Sequence, residues 1–151
     1  MWGYGPTFME IVMAATATSQ TLFDGERVAI MKFDFITDNA TGETNVVKVD
    51  PAVLNPSAAG GACDEVSLLK ISGLTNGMSV RLLWDATAPV PIQTIPSNTQ
   101  YIQDYSHIGG LTNNAGAGKN GKILFTTYET GAGDTYTIIL EMQKHYANVY
   151  A

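Results

Sequence analysis

The sequence predicts an all-β fold: an antiparallel β-sandwich, jelly-roll-like, behind an irregular N-terminal arm. Three observations carry the prediction. Apolar and polar residues alternate with a period of two in several short runs. Gly, Asn, Asp and Pro clusters punctuate those runs, and no stretch has helix-length amphipathic spacing. The 151 residues suffice for one domain with its own core and not for two comfortable ones. That domain is drawn at residues 20–151, with the arm at residues 1–19.

Within the arm, Trp2, Tyr4 and Phe8 stand among glycines and a proline, and Ile11 to Thr18 drifts into small residues. Two readings stand: an end extended from an upstream start, since Met9 and Met13 are both possible starts, or an arm whose aromatics dock on a neighbouring subunit. From Ala29 to Phe35, the set Ala29, Met31, Phe33 and Phe35 alternates with Ile30, Lys32 and Asp34, the pattern of a half-buried strand. Asp38 to Gly42 is turn chemistry, and Thr44 to Val49 is β-branched enough for a short strand. Pro51, Pro56 and Gly60-Gly61 make 51–61 irregular.

Val66 to Ile71 and Met78 to Trp84 are expected to pair as a hairpin, because Asn76-Gly77 supplies the positive φ of a tight turn. Met78, Val80, Leu82 and Trp84 share one face, with Trp84 as a core anchor. Pro89, Pro91 and Pro96 leave residues 85–99 at most an edge strand. Tyr101 to Ile108 reads as a short strand. Ile123 to Tyr128 and Thr135 to Met142 form a second expected hairpin across Gly131 to Asp134.

Composition narrows the function. A net charge of −6 and only 8 Lys and Arg, nowhere clustered, argue against direct nucleic-acid binding. The charged share of 15% is well below the usual quarter, which suits a surface covered by a partner. No apolar run approaches the length of a membrane-spanning helix. Phe8 to Ala17 is broken by Glu10 and has no basic leader, so it does not read as a secretory signal. Asn39-Ala40-Thr41 is a glycosylation sequon, and without a secretory route it carries no meaning.

Gly116-Ala117-Gly118-Lys119-Asn120-Gly121 matches G-x-G-x-x-G, but that motif holds a pyrophosphate only where it opens a helix. Here Lys122 to Thr127 continues as a strand, so the stretch reads as a surface loop. The Walker pattern fails because Asn113 replaces its first glycine and Asn120 its Ser or Thr. Cys63 with His107 or His145 is a formal nucleophile–base pair, against the simpler reading of a buried free thiol. The two histidines with Asp104 make a poor metal set, and Asp34, Asp38 and Glu43 lack EF-hand spacing. No catalytic residue, cofactor or metal ligand is assigned.

Four stretches carry a resemblance: Ala15 to Gly25, Val47 to Asp50, Val80 to Thr87 and Ile108 to Gly118. They are similar to a family of small structural proteins of tailed-bacteriophage virions, over roughly Ala14 to Tyr146. Residues 1–13 look additional to that pattern. The resemblance implies a virion component on the capsid surface, a decoration (cement) protein that binds the major capsid protein. A head–tail connector or tail part is the alternative it also allows. It implies a homo-oligomer, with a trimer preferred, and transfers no catalytic role. A reading of another class, a carbohydrate-binding module, would use Trp84, Tyr101 and Tyr105. The interface residues expected are Trp2, Tyr4 and Phe8 in the arm and Leu111, Asn113 and Asn114 in the glycine loop.

Overall fold

A computed structural model describes residues 15–38 and 41–147. In chain order the strands are β1 (Thr16–Asp24), β2 (Val28–Ile36), β3 (Val46–Val49), β4 (Cys63–Asn76), β5 (Ser79–Trp84), β6 (Val90–Ile95), β7 (Gln100–Asp104), β8 (Ile123–Tyr128) and β9 (Thr135–Tyr146). They form two antiparallel sheets, β1-β2-β9-β4-β7 and β3-β8-β5-β6, stacked as a sandwich. With β1 set aside, the other eight strands divide four and four between the sheets.

Period-two alternation decides which faces meet. In β2, Ala29, Met31, Phe33 and Phe35 are buried, and in β5 so are Val80, Leu82 and Trp84. Phe33 meets Phe125 edge-on with ring centroids 5.2 Å apart, and Phe125 meets Tyr136 at 5.8 Å, so β2, β8 and β9 close one end of the core. Each such aromatic pair contributes roughly 0.5–1.5 kcal/mol beyond its buried area.

The two expected hairpins are not hairpins. β4 pairs with β9 and β7, whereas β5 pairs with β8 and β6 in the other sheet. Gly77 does take positive φ, at 86°, and its amide donates to Asn98 Oδ1. The next residue, Met78, then enters the core and carries the chain across the sandwich. The second link behaves likewise: Gly133 has φ 79°, and it joins β8 in one sheet to β9 in the other. The physical reason is that both edges of β4 and of β9 are already occupied, so neither has room for its sequence neighbour.

The adjacent pairs are β1–β2 and β5–β6. Gly25 N donates to Val28 O to close the first turn. Pro91 sits in edge strand β6 at a register shift opposite Leu82 and Leu83, where a missing N–H is tolerated. The boundary at residue 20 falls inside β1. The strand expected from Tyr101 to Ile108 ends at Asp104, and Ser106–Ile108 is a 3-10 turn.

Two ionic anchors tie loops to this frame. The Lys144 side chain is fully buried, and its Nζ donates to Asp24 Oδ1 at 2.6 Å, Gly25 O at 2.9 Å and Asn55 O at 2.8 Å. Burial alone would lower the lysine pKa, but the bond to Asp24, with the nearby Tyr146, outweighs it and raises it. Glu43, also buried, accepts from Lys48 Nζ and from the Tyr136 hydroxyl, each at 2.6 Å.

Candidate functional site

The glycine loop begins where β7 stops. Asp104 Oδ1 accepts from the amide and the hydroxyl of Ser106, starting the 3-10 turn that Gly109 ends at φ 83°. Those same bonds hold the Asp104 carboxyl below its ordinary range. Gly110 then passes so close to β4 that an added Cβ would stand 3.0 Å from Leu68 O. Leu111 and Leu68 exchange both backbone hydrogen bonds, at 2.8 and 3.0 Å, beside the register shift in β4.

Further along, the loop is fixed from two sides. Thr87 N donates to Ala117 O, Asn120 Nδ2 donates to Asp85 Oδ2 at 2.8 Å, and Lys119 pairs with Glu65 at 3.1 Å. A Cβ on Gly118 would stand 2.2 Å from Thr87 Oγ1, and one on Gly121 2.2 Å from Asp64 O. Two glycines of the G-x-G-x-x-G match are thus required by close approach. Gly116, the first, has open space around it. β8 follows at Ile123, so no helix N-terminus is present here to hold a phosphate.

Against this loop lies a cleft of about 350 Å³ lined by Trp84, Pro91, Ile92, Ile108, Leu111 and Asn114, among others. Its lining mixes polar and apolar groups, and Ile108 stands on it 63% exposed. Of the loop residues expected at an interface, Leu111 and Asn114 line this cleft together. Asn113 does not. It is 8% exposed, its Oδ1 accepts from Ala115 N, and its Nδ2 is buried with no hydrogen-bond partner. Trp2, Tyr4 and Phe8 lie outside the described residues. Ile108 and Ile92 were missed as site residues because alternation marks strands, and neither an exposed turn residue nor an edge-strand isoleucine stands out by it.

The other candidates separate. Cys63 is buried, and its thiol donates to Glu65 O at 3.6 Å. Burial pushes its pKa up, the wrong direction for a nucleophile. The ring of His145 bonds Ser67 Oγ at 2.7 Å, while His107 sits exposed on the 3-10 turn. Glu43 points inward, whereas Asp34 accepts from Thr137 on the outer face. Among the described residues no three His, Cys, Asp or Glu side chains gather into a metal-holding group. Trp84 is 1% exposed and offers no ring face to a sugar; Tyr101 and Tyr105 pack partly against the core.

Neither a scan against protein-family models nor a search of curated proteins returns a match.

Proposed function

We propose that the chain is a virion structural protein of a tailed bacteriophage, a capsid decoration protein that seats on the major capsid protein and stabilises the head shell. It works at the capsid surface as a scaffold rather than as an enzyme, without cofactor, membrane or direct nucleic-acid contact, and in more than one copy. The observation that carries the reading is the conformation of the stretch Ile108 to Gly118. This stretch resembles the virion family, is tied to β4 and to the β5–β6 link, and presents Ile108, Leu111 and Asn114 around a cleft of mixed polar and apolar lining. A loop tied down on two sides that carries an exposed isoleucine beside polar groups suits repeated docking, where many modest contacts on a shell add up.

The test is occupancy on purified heads. Ile108→Ser with Asn114→Asp leaves buried Asn113 untouched, and is expected to lower affinity for the shell about fivefold, a loss of roughly 1 kcal/mol in all, read as reduced occupancy. Unchanged occupancy would remove the loop from the interface. Electron microscopy of the virions separates the alternative: copies spread over the shell support decoration, whereas a single ring at one vertex means a connector or tail part.

A further inference from the structure

β1 has an unusual exposure. Every residue from Thr16 to Phe23 is exposed, so the strand has water on both faces. It is the outermost strand of its sheet among the described residues. Natural edge strands are guarded by charge, proline, shortness or a bulge. Thr16 to Phe23 contains no charged residue and no proline, and the one bulge lies at Leu22, leaving the run up to Thr21 regular.

We infer that β1 is a self-association edge, and that its occupant is β1 of a second copy, paired antiparallel about a two-fold axis. Strand direction favours this over other ways of joining copies. Four successive antiparallel pairings place β1 and β7, the two edges of the sheet, in the same direction. A head-to-tail ring, such as the threefold arrangement expected from the resemblance, would add β7 to β1 as a parallel pair. Two β1 strands continue the antiparallel ladder instead, which is the more stable pairing.

Side chains agree. Thr16, Thr18 and Gln20 lie opposite Ile36, Asp34 and Lys32 on the outer face, and Phe23 lies opposite Ile30 beyond the bulge. An axis at Gln20 places two amides together, each able to donate and accept. Asp24 then faces the start of the partner strand and not its own copy, so no like charges meet. The same register brings Phe23, 54% exposed, toward Thr18 and Thr16 of the other copy, beside Ile36, which is 47% exposed. One strand pair makes an interface at or below about 1,000 Å², so the dimer depends on concentration. This inference rests on β1 alone and stands apart from the virion reading.

Sedimentation equilibrium of the purified full chain tests it. The expected result is a monomer–dimer equilibrium that Gln20→Lys weakens roughly fivefold, by setting two like charges at the axis. Gln20→Glu weakens it similarly, and an equimolar mixture of the two variants recovers association. Circular dichroism and thermal midpoints matching wild type establish that both variants fold. A monomer at every soluble concentration overturns the proposal. So does a dimer or trimer indifferent to Gln20→Lys, a mixture that fails to recover, or a dimer seen only after residues 1–14 are removed, which would mean that the chain covers its own edge.

Discussion

Tyr136 joins the two layers through a buried polar bond. Its hydroxyl donates to Glu43, whose other oxygen holds Lys48, so the carboxylate is satisfied from β9 and β3 together. Burial first, and the neighbouring Glu43 carboxylate second, push the Tyr136 pKa well above its ordinary value. A phenol raised in the folded state keeps its proton longer there than in the unfolded chain. Its contribution is therefore complete below the unfolded value of about 10 and is lost as pH rises beyond it. Tyr101, pushed up to about 12 by burial and then by Tyr105, acts in the same direction. The thermal midpoint is expected to hold between about pH 7 and 9 and to fall above about pH 10. Tyr136→Phe should flatten that alkaline fall while lowering the midpoint at neutral pH by roughly 5–10 °C, through loss of a bond to a charged acceptor worth about 1.5–3 kcal/mol. An alkaline fall as steep in the variant as in wild type would assign the effect elsewhere.

At the scale of elements, the glycine loop separates what spacing says from what surroundings require. The three glycines of the motif look equivalent in the sequence, yet their environments differ. Gly121 combines φ 83° with backbone of β4 at 2.2 Å from where a Cβ would stand, while Gly116 has neither positive φ nor a near neighbour. Gly121→Ala is expected to cost more than about 2 kcal/mol, from left-handed backbone strain and a clash that backbone cannot relieve. Gly116→Ala is expected to stay within about 0.5 kcal/mol of wild type. Urea denaturation of the pair measures both, and equal effects would sink the assignment of structural roles. That strand rather than helix follows the loop was legible, because Ile123 to Tyr128 is β-branched and aromatic. The burial of Asn113 was not, because a polar residue between two others gives no periodic sign of facing inward. β1 was hidden for the opposite reason. A strand wet on both faces has no apolar alternation to display, and Thr-Ala-Thr-Ser-Gln-Thr reads as linker.

Across the whole molecule, strand identity was local and strand pairing was not. Alternation placed Met31, Phe33, Leu82 and Trp84 inside, and they are inside. The turn residues Asn76-Gly77 and Gly131 to Asp134 announced sharp reversals, and both links do contain a positive-φ glycine. A turn fixes its own dihedrals, however, and not the sheet into which the chain departs. That choice belongs to partners far along the chain: β4 and β9 pair from Cys63–Tyr146 to Asn76–Thr135, and β2 lies on the other side of β9. The consequence is kinetic. Since β4–β5 and β8–β9 cross between layers, each sheet holds only one neighbouring hairpin, β1–β2 or β5–β6, and loop-closure entropy must be overcome before the long-range pairs that complete it form. Folding is therefore expected on the millisecond-to-second scale of β-sandwiches, with both sheets forming in one step. A Trp2→Phe background leaves Trp84, in β5, as the sole tryptophan and a reporter on the smaller sheet. Stopped-flow fluorescence and far-ultraviolet circular dichroism should then give one common rate. A faster dichroism phase preceding the Trp84 signal would show that the five-stranded sheet forms alone, and that the crossings do not bind the two layers into one cooperative unit.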